Sequence, residues 1–184
     1  MAAIVCMLRG VNLLKHNRIS MEDLRALCEA LGLQGARTWV QSGNVVFQTK
    51  EKDLAKLARK IEDAIEKKVG FRPAVTLRTA AEMKSVVARN PFAKRRDIEN
   101  GKLLVTFLGP VPTGEMREAV LAIKGHPEEA RMDGREVYVY YPNGMGRSKF
   151  APLLERALKK TGTARNWNTV TKLLEMAEQL EGTR

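Results

Sequence analysis

Five consecutive apolar residues, Ile4-Val5-Cys6-Met7-Leu8, stopped at once by Arg9-Gly10, constrain this chain more than any other stretch. The run is far shorter than the ~20 residues a membrane span needs, and it lacks the polar alternation of a strand with one wet face. It predicts a strand over 4–8 that is buried on both faces.

The segments C-terminal to that strand come in a recognisable order. A polar loop runs from Arg9 to Ile19, then Ser20-Met21-Glu22-Asp23 reads as a helix-capping box. Met21, Leu24, Leu27, Cys28 and Leu31 form an apolar helical face that ends at Gly32. The β-rich runs 37–41 and 44–48, separated by Ser42-Gly43, read as a hairpin. Leu54, Leu57, Ala58, Ile61 and Ile65 mark a second helix ending near Gly70, and 74–78 is a strand after Pro73. The order βαββαβ is the ferredoxin-like unit.

The second half reads similarly. Thr79-Ala80-Ala81-Glu82 opens a connector helix stopped by Asn90-Pro91, and a strand over 102–108 is closed by Gly109-Pro110. Met116, Val120 and Ile123 give a helix, and Asp133-Gly134 turns a hairpin between 129–132 and 137–141. Leu153, Leu154, Ala157 and Leu158 lie on one further helix, with Trp167, Val170, Leu174 and Ala177 on the last. The second half is therefore expected to repeat the first with its fourth strand missing or replaced, plus a C-terminal helix. The fold class expected is α+β, two packed ferredoxin-like halves, residues 1–79 and 80–184.

Composition bounds the function. Lys and Arg total 32 against 21 Asp and Glu, for a net charge of +11 and a pI near 9.9 in 184 residues. That balance favours a polyanionic partner or an anionic substrate over an acidic-protein partner. The two cysteines, Cys6 and Cys28, both fall in apolar patterns and read as small core residues, as in a reducing cytoplasm. No cationic leader and no long apolar run is seen, so a cytoplasmic protein without membrane attachment is expected.

The densest polar apparatus lies at Asn143-Gly-Met-Gly-Arg-Ser-Lys149 and at Thr163-Ala-Arg-Asn-Trp-Asn-Thr-Val-Thr171. In the first, glycines free the backbone before an apolar helical pattern and Ser148 is placed to cap it. Helix N–H groups and the cations Arg147 and Lys149 then share one small volume, the outline of an anion site. The second repeats the logic at another helix start with Arg165, Asn166, Trp167 and Thr169. Ser148 and Asn166 also read as plain N-caps, and Trp167 as the first core residue of its helix. No phosphate-binding loop, dinucleotide fingerprint or nucleophile elbow occurs, and His16 and His126 have no acidic cluster beside them, so no metal or cofactor is expected.

Three blocks carry a resemblance: Leu8-Arg-Gly-Val-Asn12 with Lys15 and Asn17 ahead of Met21-Glu-Asp-Leu-Arg25, then Thr38-Trp-Val-Gln-Ser-Gly-Asn-Val-Val-Phe47, then Gly146-Arg-Ser-Lys149 with Ala164-Arg-Asn-Trp-Asn-Thr-Val170. Together they resemble the domain of unknown function 1697 family, a bacterial family, over nearly the whole chain. This chain carries Leu13-Leu14-Lys15-His16 where the family's pattern has a Gly-Gly pair. The resemblance implies an α+β protein of two ferredoxin-like halves and no established activity.

In a βαββαβ unit the loop after the first strand and the hairpin tip share one edge of the sheet. That edge should gather Arg9, Asn12, Lys15, Gln41, Ser42 and Asn44, with no carboxylate among them. The expectation is that this set and the set Arg147, Ser148, Lys149, Arg165, Asn166, Trp167 and Thr169 line a basic interdomain cleft that binds a phosphate-bearing ligand or nucleic acid. The alternatives are a small metal-independent enzyme on an anionic substrate, and a protein-interaction module whose polar blocks only brace the two halves. A sheet-face platform for single-stranded RNA built on Tyr138, Tyr140 and Tyr141 is disfavoured, because the basic-Gly-aromatic leader of that motif is missing.

Overall fold

A computed structural model describes residues 1–13, 16–124 and 126–182. It resolves into two compact units, residues 1–85 with 171–184, and residues 86–170.

In the first unit the apolar run becomes β1, Ala2–Leu8, and everything from Ala3 onward in it is buried. It is the inner strand the sequence requires. β3, Asn44–Thr49, pairs with it on one side and β4, Val75–Thr79, on the other, both antiparallel, with Ile4 opposite Phe47 and Thr79. β2, Gln34–Trp39, is the outer strand, giving the order β2-β3-β1-β4. Helices α1, Met21–Ala30, and α2, Leu54–Val69, cover one face, where Ile4, Cys6, Leu8, Val45 and Phe47 pack with Leu24, Cys28, Ile61 and Ile65. On the opposite face Val5, Met7 and Val46 are equally buried.

The ends are set by the residues that the helix rules name. Asp23 N–H donates to Ser20 Oγ at 3.0 Å, and Lys56 N–H to Asp53 Oδ1 at 2.9 Å. Gly70 closes α2 with φ 81°. Thr79 and Glu82 make the reciprocal capping box at the start of α3, Ala80–Ala88, with bonds of 2.8 and 3.1 Å.

The second unit corrects one expectation. Its fourth strand is neither missing nor replaced: Thr163–Asn166 forms β8, antiparallel to β5, Leu103–Phe107, with Arg165 opposite Val105. The polar segment Thr163-Ala-Arg-Asn hid the strand because it alternates buried Thr163 with exposed Ala164 and has no apolar run. With β6, Glu129–Asp133, and β7, Glu136–Tyr140, the order is β6-β7-β5-β8, the same topology as in the first unit. Helices α4, Gly114–Leu121, and α5, Phe150–Ala157, lie in the two crossovers. The last helix, α6, spans Trp167–Gly182.

Two core assignments change with the helix phase. On α5 the buried residues are Phe150 and Leu154, followed by Leu158 just past its end, while Leu153 is exposed. On α6 Leu173, not Leu174, is fully buried in line with Val170 and Ala177. Both pairs of adjacent leucines are ambiguous by periodicity alone, and a rotation of about 100° per residue decides which one faces inward.

Candidate functional site

The first unit does place the loop after β1 beside the hairpin tip. Leu8 N–H donates to Gly43 O at 2.8 Å, and the Asn12 side chain binds Gln41 O at 2.8 Å. Asn12 does more than touch the tip. Its Nδ2 also donates to Ile19 O, its Oδ1 accepts from Ile19 N–H, both at 2.9 Å, and its backbone has φ 56°. Its amide is thus fully engaged in holding the loop shut. Asn44 is fully buried, and its Nδ2 donates to Trp39 O and to Ser42 Oγ at 3.1 and 2.8 Å. Gly43, φ 75°, is demanded twice, since a Cβ there would meet Val11 Cγ2 at 2.5 Å and Leu8 Cβ at 2.8 Å. Arg9 anchors its own N–H to Ala74 O at 2.9 Å, while Gln41 and Ser42 are exposed on the tip. Lys15 lies outside the described residues.

The tip also carries residues absent from the expected set. Val40, a β-branched residue, is held at φ 48° and is 51% exposed, a conformation that such residues avoid. Beside it Trp39 is 36% exposed at the end of the outer strand. Trp39 and Arg37 are two apart on β2, so both point to the face opposite α1 and α2, whereas Thr38 points to the helices and takes a 2.7 Å bond from Arg25. Lys172 Nζ stands 5.4 Å from the Trp39 ring centroid and also pairs with Glu175 at 2.8 Å. Period-two placement on a strand was the available signal for Arg37 and Trp39; Lys172, far along the chain, had none.

In the second unit the expected anion cradle is differently filled. Ser148 Oγ accepts from Phe150 and Ala151 N–H, both at 3.1 Å, so it does cap α5. Its proton goes to Glu128 Oε1. Two N–H groups of this helix start are thus taken by Ser148, and the Ser148 hydroxyl by a carboxylate of the protein. The same bonds leave the hydroxyl no free lone pair for nucleophilic work. Glu128 Oε2 is buried without a hydrogen-bond partner among the described residues. Nothing in the local sequence joined Glu128 to Ser148, 20 residues away. Arg147 and Lys149 are exposed on either side of it.

Arg165, expected at a helix start, is on a strand, with Nη1 donating to Ala164 O at 2.9 Å. Asn166 Oδ1 accepts from Thr169 N–H at 2.9 Å, the N-cap role; Trp167 and Thr169 are buried. The three tyrosines are buried too. The Tyr138 hydroxyl donates to Val86 O at 2.8 Å and that of Tyr140 to Asp97 O at 3.1 Å. Tyr141 packs edge-on to Phe150, and burial, with a smaller contribution from Glu128, pushes its phenol up to about 12. None of them offers a ring face for a base. The basic run 94–96 is drawn into ion pairs by Arg95, which binds Asp97 and Glu129.

A βαββαβ sheet unit occurring twice, each followed by a helix, defines a duplicated ferredoxin-like α+β protein. The model of a family described as a protein of unknown function, DUF1697, matches residues 1–138, and the chain belongs to that family. A solved structure described as conserved bacterial protein SP0830 from Streptococcus pneumoniae is similar at TM-score 0.80 and 19% identity, covering 97% of this chain and 99% of that one. At that identity the likeness speaks for the fold. No curated protein matches. Among the described residues no helix is long and apolar enough to cross a membrane.

Proposed function

We propose that the chain binds a phosphate-bearing polyanion at the Trp39 end of its first unit, single-stranded nucleic acid being the class that would use both the ring and the surrounding cations. The observation that carries this reading is the half-open indole with Lys172 5.4 Å from its centroid and Arg37 on the same strand face. Stacking platforms for single strands combine those two elements, a π-face and a cationic track. Three further features support it. The chain carries +11, the backbone of the tip is pinned by Asn12, and the strained Val40 opens the turn directly after Trp39, where strain is retained for use more often than by accident. Arg9, Gln41 and Ser42 would then meet sugar or phosphate, and Arg147 and Lys149 add exposed cations in the second unit.

The test is fluorescence anisotropy with a labelled oligothymidylate, a matched duplex and unlabelled polyphosphate as competitor, at several salt concentrations. With three phosphates neutralised, log affinity should fall with log salt at a slope of about −2, and Arg37→Ala should lower the magnitude of that slope by about 0.7. Trp39→Ala should weaken single-strand binding by about 1–3 kcal/mol. Affinity insensitive to both salt and Trp39→Ala would sink the reading. Competition by polyphosphate equal to that by the oligonucleotide, with no role for Trp39, would remove nucleic acid and leave only the anion.

A further inference from the structure

The helical layer of the second unit is thin. In the first unit α2 has 16 residues, about 24 Å of helix, and the Asp23–Lys68 pair at 2.9 Å ties it to α1. In the second unit α4 and α5 have 8 residues each, about 12 Å. They leave a groove of about 560 Å³ between them, floored by Ala119, Ala122, Ile123, Leu153 and Ala157. Its walls carry Lys124, Arg156 and Lys159, and its one acid, Glu115, is already paired with Lys159 at 3.4 Å. Leu121, at the end of α4, is 70% exposed, and Leu153, on the outward side of α5, is 38% exposed.

We infer that this groove docks an amphipathic helix of a partner protein whose apolar stripe is flanked by Asp and Glu. The apolar floor accepts side chains at helical spacing, the mode in which a helix lies in a groove. The cationic walls select the flanking charge by complementarity. That complementarity also argues against a second copy of this chain, which would bring the same cations to the same place.

The test uses the full chain, labelled with nitrogen-15, titrated with a synthetic helical peptide bearing leucine at i, i+3, i+4 and i+7 and glutamate elsewhere. A lysine-for-glutamate counterpart and phosphatidylglycerol vesicles are run in parallel. The expected result is saturable amide shifts confined to α4, α5 and the groove residues just past their ends, Ala122 to Lys124 and Lys159, with affinity reduced at least about tenfold by Leu153→Asp and by Arg156→Glu, and no binding of the lysine peptide. Both positions are exposed, so these variants should keep the parent spectrum elsewhere. Absence of shifts, shifts centred away from the groove, or equal binding of the lysine peptide overturns the inference. So does vesicle binding abolished by Leu121→Asp without peptide binding, or a dimer in sedimentation that Leu153→Asp dissociates.

Discussion

Replacing Gly43 by alanine probes the joint on which the candidate site rests. The residue sits at φ 75°, and the added methyl would stand 2.5 Å from Val11 Cγ2 and 2.8 Å from Leu8 Cβ. The left-handed backbone costs an L-residue about 1–2 kcal/mol, and forcing a methyl into filled space adds about 1–3, so Gly43→Ala should lose about 2–5 kcal/mol. Gly70→Ala is the matched control. It has φ 81° but nothing within 4 Å of the new Cβ, so it should lose only the backbone part, about 1–2 kcal/mol. The assay is urea unfolding followed by Trp39 emission in a Trp167→Phe background, where the signal comes from the first unit alone. Equal losses for the two variants would refute the reasoning, because they would mean that Val11 and Leu8 do not close on the hairpin tip.

Two further outcomes rest on single side chains. Ser148→Ala removes the cap of α5 and strands both oxygens of Glu128, so it should cost about 2–3 kcal/mol; with Glu128→Gln already present the loss should shrink, because an unpaired amide is cheaper to bury than an unpaired carboxylate. Thermal unfolding of the four proteins of that cycle checks it, and additive losses would contradict it. The Asp23 carboxyl is held below its ordinary value by the hydrogen bond from Lys68, then by that from Ser20. A folded-state pKa that lies below the unfolded one adds stability above the unfolded value near 4, and that stability is lost as pH falls through the folded value. Carboxyl carbon shifts should show Asp23 titrating below a free aspartate in the parent and moving back up in Lys68→Met; no movement would mean the pair is not formed.

Most of the architecture was legible because its causes are local. Five apolar residues in a row specified the inner strand, Ser20 and Thr79 specified two helix starts, and Gly70 one helix end. Each is a property of a few neighbouring residues, and the chain order of such signals led to the βαββαβ unit. Where two neighbours had equal claim, as at Leu153 and Leu154, periodicity could not choose, and β8 escaped because its strand is polar. The polar blocks were visible as well, but their roles were not. Whether an amide or hydroxyl faces a ligand depends on whether something distant has already engaged it: Ile19 and Gln41 engage Asn12, and Glu128 engages Ser148. In the same way Lys172 reaches Trp39 only through the packing of the last helix. Backbone preferences and burial patterns are written along the sequence; the company a side chain keeps is decided by tertiary contacts, because hydrogen bonding and charge pairing act between residues brought together only by the fold.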